Sequence, residues 1–373
     1  MEPVGFDKKK ISEVMQRRSI DFIVASSPEN VFYTCGLPVR HMENNPILFV
    51  LSNQYPTIVV IRQNGEESVI AWGLFDPALT WVKDFRGIMT RGDAVNAVIS
   101  LMEEAKLSKP TIGVESAMPF YQFEGLKKAF PKAIFKTIDD IFLETRLIKS
   151  PEEIDRIRKA TIIAEKAILA MFEQLREGVT DIELLKVAKS TVVKEGAFGW
   201  DHITMSLGSS DPEAPGTGVK MKKNELARFD VGAIYKGYCS DVSRHVALGK
   251  IPSGAKKIIA QIVDVQQKCA DAIVPGVSAT EVSRIGQQAY ERTGQELPFF
   301  ITCHGLGLQT EEFYFFSPMT GPSEIVFQPG MVFDLEIWAP FDPYRLIGME
   351  DTYLVNQSGC QRISTLDRTL LVK

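Results

Sequence analysis

The sequence predicts an α/β domain over residues 1–146 followed by an α+β domain over 147–373 built from two repeating halves. Three observations carry this prediction. Up to about residue 140, short apolar runs alternate with helical patterning. The stretch "TRLIKSPEEIDRIRKATIIAEKAI" then interrupts that rhythm with the signature of a helix start. Beyond it, "EGVTDIELLKVA" from Glu177 is echoed by "PGVSATEVSRIG" from Pro275.

In the first domain "DFIVAS", "PILFVLS", "TIVVIRQ" and "ESVIAW" have the length and β-branched content of strands. "AVNAVISLMEEAKL" has the spacing of an amphipathic helix. Strands and helices mixed in this order predict a sheet of mixed direction. At the boundary, Ser150 is placed to cap a helix, Pro151 suits its first position and Glu153 completes a capping box. The helix that follows presents Ile154, Ile157 and Ile168 on its apolar side, and Gly178 is expected to close it. Thr180 with Glu183, and Ser278 with Glu281, open one helix in each half of the second domain in the same way. β-rich sequence follows each helix pair, from about 200 to 249 and from about 299 to 373. The matching order of elements predicts an internal duplication.

Composition narrows the class of function. Hydrophobic residues at 45% and charged residues at 24% are the mix of a soluble globular protein. A net charge of −5 gives no basis for binding nucleic acid or an anionic membrane. The five cysteines are odd in number and scattered, which fits a reducing compartment. With no apolar N-terminal segment of the secretory kind, the expectation is a cytoplasmic protein.

The chemistry is concentrated in two acidic hairpins. In "ARFDVGAIYKGYCSDVSRHVAL", Asp230 and Asp241 are equally far from Tyr235-Lys236, which predicts a hairpin with the two carboxylates directly opposed. In "GMVFDLEIWAPFDPYRLIGMEDTYLV", Glu336 and Glu350 are equally far from Pro343, in a turn-forming segment. Like charges facing each other across a ladder destabilise it. Buried and unneutralised, they must take up protons or find a cation. Four carboxylates and one imidazole suffice to hold two divalent ions, as in two-metal hydrolytic sites. Asp334, Asp342 and Asp351 read as solvent-facing or turn residues.

The imidazole is expected from His304 in "FFITCHGLGLQTEEF", where Gly305 and Gly307 let the backbone pass close to a ligand. His202 precedes a glycine-rich loop and could line a pocket. His245 lies four residues beyond Asp241 and shares its face. Each of these two, like His41 in the first domain, reads as structural when taken alone.

These motifs, "DVGAIYKGYCSD", "HGLG", "PGMVFDLE" and "ED", resemble those of the pita-bread metallopeptidases. That family includes Xaa-Pro dipeptidase (prolidase), aminopeptidase P, methionine aminopeptidase and the non-peptidase creatinase. The likeness runs the length of the chain, since "DFIVASSPENVFYTCGLP" resembles the start of a creatinase/prolidase N-terminal domain. It implies metal ligands Asp230, Asp241, His304, Glu336 and Glu350, with Glu336 accepting the proton. It also implies a homodimer, and makes Arg40 and His41 candidates for contact with substrate.

Departures fall outside the ligand set. By the resemblance, Gly216 and Glu311 stand where peptidases carry histidines, Gly348 where they carry arginine, and His245 where threonine is common. His202, His245 or Glu311 could take over proton transfer, and Arg345 or Arg40 could hold a substrate carboxylate. The expected chemistry is hydrolysis of a small peptide's amide bond by a metal-bridging hydroxide, with Xaa-Pro dipeptides the leading substrate class. A creatinase-like attack on a small-molecule C–N bond is the alternative, and a catalytically silent binding protein is the third reading. Oxygen-rich coordination favours manganese over cobalt, zinc or iron.

Overall fold

A computed structural model of the protein describes residues 2–37, 54–210 and 216–373. The chain divides into two compact units, Met1–Arg146 and Leu147–Lys373.

Among the described residues the first unit forms a six-stranded sheet in the order β4-β3-β2-β1-β5-β6. Its strands are β1 (Phe22–Ala25), β2 (Ile58–Arg62), β3 (Glu67–Trp72), β4 (Asp84–Ile88), β5 (Thr111–Val114) and β6 (Ile134–Thr137). β1, β2 and β3 pair antiparallel and the outer pairs run parallel, giving the mixed sheet expected. Helices α1 (Lys8–Arg17), α2 (Pro28–Cys35), α3 (Arg91–Glu103), α4 (Phe120–Ala129) and α5 (Asp139–Arg146) accompany it. Val24, Val60 and Ile70 pack with Val98, Leu101 and Leu126 in one apolar core. The expected strand "PILFVLS" and the candidates Arg40 and His41 lie outside the described residues.

The second unit repeats one plan twice. Its first half runs α6 (Pro151–Gln174), α7 (Asp181–Lys194), β7 (Gly199–Leu207), β8 (Glu225–Tyr235), β9 (Tyr238–Cys239) and β10 (Val242–Leu248). Its second half runs α8 (Ala255–Ala272), α9 (Ala279–Glu291), β11 (Phe300–Gly305), β12 (Tyr314–Ser317), β13 (Gly321–Pro322), β14 (Val332–Pro340) and β15 (Leu346–Val355). Short strands β16 (Cys360–Arg362) and β17 (Leu371–Val372) follow. In the sheet order β13-β12-β11-β14-β15-β10-β8-β7 the halves meet where β10 lies beside β15. That seam has one residue pair in register, Ser243 with Glu350.

Local sequence accounts for the helix starts. Ser150 accepts from Glu153 N while Glu153 reaches back to the cap, and Thr180 with Glu183 does the same. Ser278 accepts from Glu281 N, but the Glu281 carboxylate turns to Arg284 instead of closing the box. The end of α6 differs from expectation. It stops at Gln174 because Leu175 leaves helical geometry to bury its side chain fully. Gly178 lies beyond, in a turn at φ +80 where its N–H donates to the Met221 carbonyl.

Alternation along the strands gives the sheet two unlike faces. Phe229, Val231 and Ala233 of β8 join the core of the first half, and Phe333, Leu335 and Ile337 of β14 join that of the second. The residues between them point to the other face. Asp351 falls on the helix-packed side. It was expected at the surface but is fully buried, bound to Arg244 at 2.5 Å and to Ser364 at 2.6 Å. Among the described residues no helix is long and apolar enough to cross a membrane.

Candidate metal centre

The polar face of the sheet carries two rows of side chains running across its strands. In one row Thr204 stands opposite Asp230, Asp230 opposite Ser243, Ser243 opposite Glu350, Glu350 opposite Glu336 and Glu336 opposite Thr302. Two residues along, His202 pairs with Gly232 at one end, while His304 pairs with Asp334 and Asp334 with Thr352 at the other. Asp241 lies between these ends, its carbonyl accepting from Thr352 Oγ1 at 3.2 Å.

Glu336 and Glu350 are directly opposed, as their spacing predicts. Asp230 and Asp241 are not. The turn is Lys236-Gly237, with φ of +48 and +88, so Tyr235 pairs with Tyr238 and Asp230 with Ser243. Two consecutive left-handed residues define the tight hairpin turn that matches strand twist. The register therefore centres one residue later than the symmetry of the two aspartates suggests. Asp241 becomes the diagonal neighbour of Asp230 on the same face, which relaxes the repulsion without separating the pair.

Two groups of three potential ligands form here, with their donor atoms all within 4.8 Å of one another. One is His202, Asp230 and Asp241; the other is Asp241, His304 and Glu350. His304 Nε2 is 3.1 Å from Glu350 Oε1, and both side chains are buried. His202 Nε2 is 3.3 Å from one oxygen of each aspartate. Glu336 joins neither group, although it faces Glu350 across the ladder.

The electrostatics are those of a face crowded with acids. Burial, then the charges of Asp230 and Asp241, pushes Glu336 up to about 8. Burial and the neighbouring carboxylates likewise drive Glu350 and Asp334 well above the usual range. Burial opposes the charge on Asp230, but the Arg228 guanidinium and His202 overcome it and hold Asp230 down at about 2. Burial also disfavours a proton on His202, yet Asp241 and the surrounding hydrogen bonds raise its pKa well above the ordinary imidazole value.

Several features fit a divalent cation. Asp241 Oδ1 and both oxygens of Asp334 are buried without hydrogen-bond partners. Carboxylates that must hold protons when alone can give them up to coordinate an ion. The turn after His304 is also fixed. Lys149 pairs with Glu312 at 2.9 Å in full burial, and Glu312 Oε1 accepts from Leu308 N at 3.0 Å. A side chain at Gly307 would have to displace that carboxylate from its bonds to Lys149 and Leu308.

The remaining candidates are placed less centrally. His245 shares the polar face, buried and pushed down to about 4 by desolvation, with Nδ1 2.9 Å from the Gly348 carbonyl. It is therefore a neutral wall residue, outside both ligand groups. Glu311 is exposed and accepts from the Tyr314 hydroxyl, so it is no member of the acidic cluster. Arg345 is exposed in the β14–β15 loop, beyond the last ladder pair Pro340–Leu346. Four residues of strand separate that pair from Glu336, roughly 13–14 Å of rise, too far for Arg345 to serve the acids of its own chain. Asp334, expected at the surface, is fully buried because both faces of the sheet are covered.

The cation beside the acids is Arg228. Its Nη2 binds Asp230 Oδ2, and its guanidinium carbon lies 4.4 Å over the Trp338 ring. It lies two residues before Asp230 on one strand, so the period of two was the available sign that it shares the face.

An acid-lined sheet face with an imidazole in each of its two ligand groups, carried by a duplicated αα–β domain that follows an α/β domain in the chain, defines a metallohydrolase of pita-bread architecture. Residues 155–357 match metallopeptidase family M24, and residues 8–148 match the creatinase/prolidase N-terminal domain. The chain therefore belongs to metallopeptidase family M24. It is 28% identical to the Xaa-Pro dipeptidase of Pyrococcus horikoshii, over 97% of this chain and 98% of that one. It is 26% identical to the Xaa-Pro dipeptidase of Pyrococcus furiosus, over 97% and 99%. The crystal structure of the prolidase from Pyrococcus horikoshii OT3 shares the fold, with a TM-score of 0.80 at 24% identity over 98% of this chain and 99% of that one. Membership of the family implies a divalent metal cofactor, which the residues described above fit.

Proposed function

We propose that this protein is a dinuclear peptidase acting on Xaa-Pro dipeptides, with two manganese ions, as a cytoplasmic homodimer. The observation that carries the reading is the pair of ligand groups sharing Asp241 on the buried face of the sheet. The two Pyrococcus relatives, both Xaa-Pro dipeptidases, support the substrate class. The preponderance of carboxylate oxygens supports manganese.

Asp230, Asp241, His304, Glu336 and Glu350 would hold the ions. When bound, divalent cations polarise a carbonyl and acidify water. The protein's own groups do the rest. Glu336, pushed toward its protonated form by burial and the neighbouring aspartates while no ion is bound, would give up that proton to coordinate an ion and is the carboxylate placed to accept a proton in turnover. His304 is kept in place by the Glu312–Lys149 anchor. The wall formed by Trp338, His245 and Arg228 borders the acids and limits the shape of what can bind.

A second reading is favoured by that same wall. Gly348 leaves no side chain on β15, and the His245 ring hydrogen-bonds to its backbone instead. Such a rebuilt wall suits a creatinase-like hydrolase of a non-peptide C–N bond. The deciding experiment is a turnover panel of Xaa-Pro dipeptides, longer Xaa-Pro peptides and creatine-like amidino compounds, each with manganese. Cleavage of the dipeptides alone supports the first reading, and cleavage of the amidino compounds alone replaces it with the second. Metal binding without turnover of any class would make the chain a binding protein on the same fold. Asp241→Asn should lower metal content and turnover together; a variant unchanged in both would end the dinuclear reading.

A further inference from the structure

Beyond the five ligands of the proposed function, and resting on that reading, we infer that His202 is a sixth metal ligand, coordinating through Nε2 beside Asp230 Oδ1 and Asp241 Oδ1. Two ligand atoms each about 2.1 Å from one cation, at roughly 90–109°, lie about 3.0–3.4 Å apart. His202 Nε2 meets that spacing to both aspartates, at 3.3 Å each.

Three further features build this position. First, the ladder between β7 and β8 shifts between Trp200 and His202: Trp200 pairs with Ala233, but His202 pairs with Gly232. Asp201 is the extra residue, and bulges of this kind re-aim a side chain at the cost of one ladder pair. Second, the imidazole occupies the space over Gly232. A Cβ there would lie 2.6 Å from both Cε1 and Nδ1 of His202. Third, His202 Nδ1 is 3.3 Å from Asp201 Oδ2, which accepts from Thr310 Oγ1 at 2.6 Å. A carboxylate behind the far ring nitrogen is the usual support of a metal-bound histidine. It fixes the proton on Nδ1 and leaves the Nε2 lone pair for the ion.

The sixth ligand also completes an otherwise thin donor set. Arg228 occupies Asp230 Oδ2, leaving Oδ1 as the oxygen that faces Asp241 and His202. His202 then supplies to its group the nitrogen that His304 supplies to the other. With an imidazole in each, selectivity moves away from the hardest cations, magnesium and calcium, toward divalent transition metals.

The test is made on the full chain, stripped of metal and reloaded with cobalt. X-ray absorption on the unaltered protein should count an average of one imidazole per ion; one per two ions would overturn the inference without any variant. In calorimetric titration, His202→Ala should lose at least about 100-fold in affinity for one of two ions and keep the other. Asp201→Asn should weaken that same ion about 10–100-fold. Unchanged binding of both ions by His202→Ala would also refute it. Failure of the unaltered protein to bind any ion would remove the proposed function as well, whereas two tight ions with half the expected imidazole count would remove this inference alone.

Discussion

In the β8–β10 hairpin Asp230 is met by cations, whereas in the β14–β15 hairpin the two acids are set against each other. Asp230 has Arg228 on one oxygen and His202 near the other, and it stays ionised. Glu336 and Glu350 face one another in register, and burial with the surrounding carboxylates drives both toward the protonated form, as it does Asp241. One aspartate is thus neutralised by fixed side chains and the glutamate pair by protons. The lesson is that a metal-ready site need not be balanced uniformly. Its stability without metal should respond in opposite senses to changes in the two hairpins.

The largest effect is expected at Arg228. Arg228→Ala removes the main partner of the buried Asp230 charge and leaves only His202 beside it, which should cost about 3–5 kcal/mol in urea unfolding of the metal-free protein. Glu336→Gln should act in the opposite direction. The Glu336 pKa is raised in the folded state to about 8, so the folded state binds the extra proton and stability falls as pH rises from about 4.5 to 8. Gln removes that loss, and should stabilise the metal-free protein by up to about 3 kcal/mol at pH 7. A destabilised variant would refute the proton-balanced account of this hairpin.

His245 ties the hairpins together and gives a pH test of its own. Its pKa is lowered to about 4 in the fold, so its contribution is complete above about 6.5 and is lost as pH falls toward 4. The loss should reach about 3 kcal/mol, and His245→Asn should flatten the unfolding free energy across that window. The smallest effect is that of a single ion. Saturating one site at 100 times Kd adds about 2.7 kcal/mol, so loss of one of the two ions should lower Tm by about 5–10 °C. Thermal melts along a metal titration check this.

Local signals are legible in the sequence, whereas features that depend on backbone handedness are not. The caps at Ser150, Thr180 and Ser278 are written in residues three apart, and all three hold their helices. The Glu336–Glu350 register follows from a loop symmetrical about its strands. The Asp230–Asp241 register does not, because a lysine at φ +48 begins the turn and nothing in its side chain announces that conformation. Asp334 and Asp351 looked exposed because alternation on a sheet usually means one wet face; here both faces are covered. The approach of His202 to the aspartates depends on the shift at Asp201, which breaks the parity that a strand pattern assumes.

The narrow join between β10 and β15 has a mechanical consequence. Asp241 belongs to one half of the duplicated domain, His304 and Glu350 to the other, and only Ser243 and Glu350 pair in register between them. An ion gripped by those three residues would act as a rivet through the line where the two halves meet. Amide hydrogens flanking that line should exchange more slowly once it is in place, and the two halves should then open as one body.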